Sequence, residues 1–561
     1  METYKTNFDD GNNKGQELVR KAKAAFSDHE RSNVETLWQE LAEFILPVQN
    51  RKFFGSQTRG TKNDHRIFDI TGPTACRDLA AAMHSTITNP ATRWSKLRFR
   101  ETQLNNLDAA MSWTSNAAKE IHNALSDSNF DTQVGACYQS LTGLGTCVLL
   151  HEEVEDNGLF QGMNFVAVHL SEVAYCENKF GMVDTLYRKF ELTLKQAYEK
   201  FGDAIGDLKD RVAFAPQERV EFYQCIYPRD PKDVKLGPTG QAAPKDRPIA
   251  SCYVMAKGNK LVLESGYYEF PAYCVRWLTL PGEVYGYGPG HIARADVMTL
   301  NTVRREILKG LAKAVNPVLF TNQNNILTGD MRPGKIVSVR DINGMREGVT
   351  QSRFDISFLV ADQLTNAVKS AFYIDKLMLP PRTETGEMTA YEIQQRLEQM
   401  QVILGPPLSR LNTELLQPLV MRTLNILMRA GRIPAIPKEV IEASQNETIG
   451  GYKSIDLDIA FVNSLARSQQ LAELRNISAW VQEVGTMAQI KPEALDRING
   501  DAVAETMARI RDIDEDLIVS DDDVKAMRDE RAKQAQAQML LQGGEQMSNI
   551  AKNMGQTKGG M

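Results

Sequence analysis

The chain is 561 residues long, 42% hydrophobic and 24% charged, with a formal net charge of −6 at pH 7. That balance belongs to a globular protein with a sizeable core, in about three or four units of ~150 residues each. It excludes a coat for nucleic acid, because gripping duplex by neutralising phosphates needs clustered Lys and Arg, and no sustained basic run is present.

In chain order, residues 14–130 read as mostly helical. Ser32–Glu35 is a capping-box pattern, and Leu37, Leu41 and Ile45 follow at helical spacing until Pro47 stops the run. A second helix spans Thr71 to Thr88 and ends before Asn89-Pro90. A third begins near Asn106 and carries Met111, Ala118 and Ile121 toward Phe130.

From 133 to 280 the pattern changes to an α+β region with an antiparallel sheet. A helix at Gln133–Leu144 leads into apolar, β-branched runs at Thr146–Leu150, Phe165–Val168, Val220–Tyr227 and Ser251–Met255. Gly258-Asn259, two residues that tolerate positive φ, predict a hairpin between Ser251–Met255 and Leu261–Glu264. A short helix interrupts at Leu194–Phe201, and Asp230–Arg247, polar and rich in Pro and Gly, reads as a surface loop.

The turn Pro281–Gly290 then opens a long helix, His291–Ala314, in which Val303, Ile307 and Leu311 recur every four residues before Asn316-Pro317. An insert, Asn316–Arg353, holds strand-like pieces at Val318–Phe320 and Lys335–Val339. A second helix covers about Ser357 to Leu377 through Leu364, Val368 and Ala371. A third starts at Thr389, where Thr389 and Glu392 can cap each other's N–H groups. It carries Ile393, Leu397, Met400 and Leu404, should kink at Gly405-Pro406-Pro407, and continues toward Ala430. After Gly485 the chain turns acidic. Ser520 and Asp523 can cap a final helix past Arg531, and the tail from Gln534 is rich in Gln, Met and Gly.

Motifs of catalysis fail on spacing. Gly143–Val148 begins like a dinucleotide fingerprint, but Val148 stands where the third Gly is needed. No Walker A or G-x-S-x-G sequence exists, and His151-Glu152 lacks a second His four residues on. The acidic cluster near Asp521 lacks the ligand spacing of an EF-hand, and the Gly-rich turn, with Pro289 removing an N–H, reads as a strand-to-helix turn rather than a phosphate cradle. The seven cysteines (Cys76, Cys137, Cys147, Cys176, Cys225, Cys252, Cys274) are scattered without a C-x-x-C pair, so reduced thiols in a cytosol are expected. The first ten residues hold no apolar signal core, and the longest uncharged run, Thr132–Leu150, is too polar to span lipid. The expectation is a protein with no catalytic residue, cofactor or metal, and no membrane partner.

Several segments, in their order, resemble the head-to-tail connector (portal) proteins of short-tailed bacteriophages: Gly72–Ala80, Asn89–Trp94, Leu192–Gly202, Glu269–Trp277, Pro281–Gly286 and Asp296–Asn301. The likeness covers roughly residues 15 to 480. It implies a mainly helical α+β portal fold with long stem and wing helices and a β-rich middle. Residues 1–290 would be an N-terminal helical and β-rich wing region, 291–315 the first stem helix, 316–353 the clip and 354–378 the second stem helix. Residues 379–388 would be the tunnel loop, 389–462 the wing helix and following segment, 463–533 the crown and 534–561 a flexible tail.

The resemblance further implies a ring of twelve copies at one capsid vertex, assembled in the host cytoplasm, through which double-stranded DNA is packaged and ejected. Capsid and scaffolding proteins, terminase and tail or adaptor proteins would be partners. Pro380, Pro381, Arg382, Thr383, Glu384, Thr385 and Gly386 are the candidate DNA-facing tunnel residues, and Arg332, Lys335, Arg340, Arg346 and Arg353 the candidate docking residues of the clip. The geometry is consistent. Twelve helices at ~10 Å separation place their axes on a circle of radius ~19 Å, and a helix radius of ~5 Å leaves a bore of ~28 Å, wide enough for duplex. Twelve chains at −6 each give an anionic ring, past which phosphates slide rather than bind. Two other readings stand beside this one: an internal scaffold or ejection protein, and a metal-dependent nuclease.

Overall fold

A computed structural model describes residues 8–49, 53, 66–101, 103–156, 159–235, 242–315, 319–321, 336–338, 354–377, 405–444, 448–449, 452–453, 456–461, 464–488, 491, 498–511, 519, 524–531 and 533–534. The chain forms two compact units, Met1–Leu465 and Ala466–Met561.

In the first unit, α1 (Phe8–Phe26) and α2 (His29–Phe44) open the chain. α2 starts earlier than the Ser32–Glu35 pattern predicts. Asp28 accepts from the Glu30 N–H at 3.2 Å and takes the cap, while Ser32 turns its hydroxyl back onto the Asp28 carbonyl at 3.0 Å. Glu35 pairs instead with Arg31 at 2.8 Å. An Asp upstream outcompetes a Ser inside the helix, because it can satisfy an orphan N–H of the first turn.

α3 (Thr71–Ile87), α4 (Asp108–Ser126) and α5 (Phe130–Leu144) match the expected helices, α5 beginning three residues early. Each buries one stripe at helical spacing: Ala75, Leu79 and Met83 in α3; Trp113, Ala117 and Ile121 in α4; Val134, Tyr138 and Leu141 in α5. They share one core with a three-stranded antiparallel sheet of order β3-β2-β9, built from β2 (Thr146–Asp156), β3 (Leu159–Val168) and β9 (Ala272–Arg276). β2 runs down its centre, and Cys147–Leu150 are buried.

The second sheet is an antiparallel meander of β4 (Val173–Glu177), β5 (Val183–Thr193), β6 (Arg219–Pro228), β7 (Ile249–Met255) and β8 (Lys260–Tyr267). Both faces are covered, which explains why its central strands read as continuous apolar runs. Tyr223, Cys225, Cys252 and Val254 pack under α1 with Leu18, Val19 and Ala22. The alternate residues Val220, Phe222, Tyr253 and Met255 pack under α6 (Leu194–Phe201). α6 falls where predicted, capped by the reciprocal Thr193–Gln196 box. The Gly258-Asn259 turn also stands, with φ of 83° and 52°.

β1 (Ser95–Phe99) pairs antiparallel with β14 (Leu457–Phe461), a long-range pairing the sequence reading did not find. Among the described residues two further two-stranded pairs occur: β10 (Leu319–Thr321) with β11 (Ile336–Ser338), parallel, and β12 (Thr448–Ile449) with β13 (Tyr452–Lys453). Residues 405–411 are helical, Asn412–Leu416 form a π-helical turn, and α10 (Gln417–Arg429) follows, with α11 (Lys438–Ala443) behind it. What precedes Gly405, and with it the expected kink, lies outside the described residues. The second unit holds α12 (Ser464–Ala488) from Ala466 onward, α13 (Gly500–Arg511) and helical residues 524–531, with Arg528 paired to Asp501 at 2.6 Å.

One expectation is corrected outright. Cys137 and Cys147 form a disulfide, because the turn at Gly145 folds the start of β2 back on α5 and brings the two Cα atoms to 5.4 Å. Five cysteines remain as thiols. Burial pushes Cys76 up to about 12.

The same turn seats the helix that matters most. α5 ends on Gly145, left-handed at φ 73°, and Gly286, Gly288 and Gly290 lie directly against Gly143 and Gly145. A Cβ on Gly288 would sit 2.8 Å from the Gly145 Cα, and one on Gly290 would collide with the Gly143 carbonyl. Backbone meets backbone there with no room for a methyl group. We predict that Gly290→Ala costs about 2–3 kcal/mol of unfolding free energy in chemical denaturation. Gly135→Ala, in open space on α5, should instead add about 0.5–1 kcal/mol.

Candidate functional site: the paired long helices

α7 (Pro289–Val315) is 27 residues long, about 40 Å at 1.5 Å per residue. Its root is held by side chains from two elements and by one backbone bond. The Glu30 carboxylate accepts from the Val284 and Tyr285 N–H groups at 2.8 and 3.2 Å, and the Thr146 hydroxyl accepts from Gly286 N–H at 3.0 Å. Tyr287 N–H donates to the Leu278 carbonyl at 2.7 Å. The expected strand-to-helix turn is what the structure shows. His291 uses Nδ1 to accept from Gly288 N–H at 3.1 Å, and burial, helped by Arg294, holds the imidazole down at about 4. A neutral imidazole already committed to the backbone offers no charge for a phosphate.

The first half of α7 is tied to the body. Arg294 pairs with Glu40 at 2.6 Å and Arg304 with Asp69 at 3.2 Å. The buried Asn301 side chain accepts from Phe68 N–H and Asp69 N–H and donates to the Arg66 carbonyl. Ala293, Val297, Leu300 and Ile307 form a buried seam in the same core as Ala361 and Val368 of α8 (Phe354–Ala371), which packs along α7. α3 touches α7 through Gly72 against Val297 and also packs on α9 (Ile374–Leu377), just beyond α8. The end of α8 therefore lies beside the first half of α7, and the two helices run antiparallel.

At the far end the chemistry changes. Leu308 and Leu311 on α7 and Phe358, Leu359 and Val360 on α8 are exposed, Leu359 to 60% and Leu308 to 52%. Arg305 and Lys309 flank the first group, and the exposed Asp362 follows the second. Among the described residues Arg305 and Lys309 both pair with Glu306, on their own helix. Two apolar faces of opposite charge thus share one end of a helical hairpin, and a lone soluble chain rarely leaves such surface open.

Pro380–Gly386 and Arg332, Lys335, Arg340, Arg346 and Arg353 all lie outside the described residues. Sequence reasoning also missed the buried arginines. Arg276, 4% exposed, binds Glu414 through Nε and Nη2 at 3.1 and 2.7 Å, pairs with Glu177, and donates to the Val284 and Gly181 carbonyls. Arg422 reaches the Glu269 carbonyl at 3.0 Å, the His151 carbonyl at 3.4 Å and the Glu153 and Glu269 carboxylates. The available signal was an Arg inside an apolar run, Tyr273–Trp277, where only a buried partner can justify the charge.

Among the described residues no three His, Cys, Asp or Glu side chains converge to hold a metal, and no helix is long and apolar enough to cross a membrane.

A family model described as bacteriophage head to tail connecting protein matches residues 18–519. The chain is 29% identical over 526 residues to a protein named probable portal protein of Bordetella phage BPP-1, covering 91% of this chain and 90% of that one. It is 28% identical over 543 residues to the portal protein of Salmonella phage epsilon15, covering 94% of each. Over a shorter span of 217 residues, 37% of each chain, it is 28% identical to the portal protein of Enterobacteria phage T3.

The neutral state of His291 has a measurable consequence. Its folded pKa lies below the ordinary value of about 6.5, so the unfolded chain takes up a proton first as pH falls. Stability is full above pH ~6.5 and declines toward pH 4. His291→Asn, which keeps an acceptor for Gly288 N–H but does not titrate, should flatten that decline by up to about 1.4 kcal/mol per pH unit, read from denaturant midpoints between pH 7 and 4.

Proposed function

The chain belongs to the bacteriophage head-to-tail connecting (portal) proteins, a structural family of the phage particle, and from that premise we propose how this one works. As a portal it joins capsid and tail, and its place is the virion. Twelve copies close into a ring at one capsid vertex, and the duplex genome is packaged and later ejected through the hole. The motor that hydrolyses nucleotide is a separate terminase, in keeping with a sequence that has no Walker A motif.

One observation supports the ring above the others. The exposed faces of α7 and α8 differ in charge and lie at the same end of the hairpin. A surface that met its own equivalent would need to be self-complementary. Two different faces instead fit head to tail, and head-to-tail contacts generate rings when the rotation closes. Leu308 and Leu311 of one copy would pack on Phe358 and Leu359 of the next, with Arg305 and Lys309 meeting Asp362.

Within that ring, 291–315 and 354–378 act as stem helices, 316–353 as the clip that docks terminase and tail proteins, and 389–462 as the wing helix and its following segment. Residues 463–533 form the crown, and assembly takes place in the host cytoplasm. Arg332, Lys335, Arg340, Arg346 and Arg353 supply the clip with a small basic excess for an acidic partner surface. Pro380–Gly386 form a tunnel loop that touches DNA in passing, one Arg and one Glu held between stiff and flexible residues. The wall repels more than it binds, which suits a conduit.

Leu308→Glu combined with Leu359→Glu should leave helix content unchanged and weaken association, since each buried leucine contributes about 2 kcal/mol, roughly 25-fold in a contact constant. Sedimentation should find subunits where the parent chain gives a single large species; an unchanged assembly would remove these faces from the interface. Deleting Arg382–Gly386 should leave the ring closed while lowering the DNA packaged and retained per particle. Unaltered packaging and retention would deprive the loop of its role.

A further inference from the structure

The π-helical turn Asn412–Leu416 is the starting point. It carries one residue more than an α-helix would, with the Gln417 N–H donating to the Asn412 carbonyl, an i→i+5 bond. Two independent causes hold it. Pro418 has no N–H for the Glu414 carbonyl and its ring would clash with that carbonyl in a regular helix. Glu414, inside the turn, is clamped by the buried Arg276: both carboxylate oxygens are used, one by the Arg276 backbone N–H at 2.9 Å and the other by Nε and Nη2.

Arg276 does not serve that helix alone. The same guanidinium pairs with Glu177 on β4, donates to Gly181 at the tip of the β4–β5 hairpin, and donates to Val284 in the turn from which α7 springs. Burial works against its charge, and Glu414 and Glu177 outweigh that cost and push the pKa up. A single cation therefore joins three elements far apart in sequence.

We propose that this cluster is a register latch coupling the helix at 405–429 to the root of α7. In the resting register the turn is π-helical and Glu414 sits on Arg276. If the turn closes to a regular helix, residues 405–411 turn by about 100° and shift by about 1.5 Å against α10, and Glu414 can no longer face Arg276. Arg276 then loses its main partner and its hold on Val284 loosens, so the seat of α7 feels the change. Pro418 makes the closed register unfavourable, so the latch springs back when the load is gone. Resting on the portal reading, that load is a push on residues 405–411 by whatever occupies the ring, and α7, as a stem helix, receives it. Arg276 and Glu414 are positioning residues in this device.

Hydrogen exchange of the full chain, in the assembly it forms, tests the coupling. Glu414→Gln removes the charge from the clamp but keeps Pro418. It should speed exchange of the amides in 412–417 at least tenfold, and with them those of 281–288. Pro418→Ala restores an N–H and permits the closed register, so 412–417 should exchange more slowly while 281–288 still exchange faster. Opposite signs at one segment and the same sign at the other are what a latch requires and what simple loosening would not give. Changes confined to 412–417 in both variants would overturn the proposal. Should Glu414→Gln fail to fold, Glu177→Gln, which leaves the π turn untouched, must raise exchange at 281–288, and silence there overturns it as well. Rings that form normally without this coupling would sink the latch and leave the portal reading standing.

Discussion

Contact between bare backbones sets the direction of α7, the longest helix among the described residues. Where α5 ends and β2 begins, Gly143 and Gly145 lie against Gly286, Gly288 and Gly290, and no Cβ intervenes. Glycine is needed at Gly145 for the left-handed turn and at its partners for close approach. With that seat fixed, Glu30, Thr146 and the carbonyl of Leu278 bind the remaining N–H groups of the turn, and α7 can leave along only one line. The pairing of α8, the exposed faces at the far end and the path proposed for DNA all inherit their geometry from it.

Buried arginines fasten what the glycines align. Arg31 donates to the carbonyls of Val173 and Leu170 and lies against the rings of Phe26 and Trp38. Arg276 and Arg422 join the β-rich middle to the helices at 405–429. Each costs several kcal/mol to desolvate, and its partners recover that cost only when the set is complete. Removing one partner leaves an uncompensated charge, so these clusters specify one arrangement of elements more than they add stability. For a protein expected to meet its own copies in a closed circle, a single arrangement matters, because small angular errors at each contact would leave the circle open.

Much of the fold was legible because local signals agreed with the global structure. α6 stands between Leu194 and Phe201 under its Thr193–Gln196 box, and the Gly258-Asn259 hairpin sits where positive φ is cheap. The misses share a cause. β1 and β14 pair across some 360 residues, and neither strand carries a turn signal that names its partner. The Cys137–Cys147 disulfide was obscured by an odd cysteine count, although a helix end and a glycine turn between them bring the pair together. The α2 cap went to Asp28 because hydrogen-bond competition is decided by backbone geometry, not by spacing alone. Of the site, α7 and its root were readable from periodicity and glycines, whereas the second helix, expected to reach Leu377, breaks after Ala371 at a turn where Tyr373 takes φ 58°. The π turn and the Arg276 cluster were not, since Pro418 in a helical run predicts a kink as readily as a π turn, and ion partners 138 residues apart cannot be matched by eye.

The central claim is that copies of this chain close laterally through paired helices around an open hole. Electron microscopy of the purified chain tests it most directly. The account predicts closed rings of about twelve subunits with a central bore of about 28 Å at the helices. A chain that stays monomeric at every concentration, or that forms only solid particles or open filaments, would contradict it.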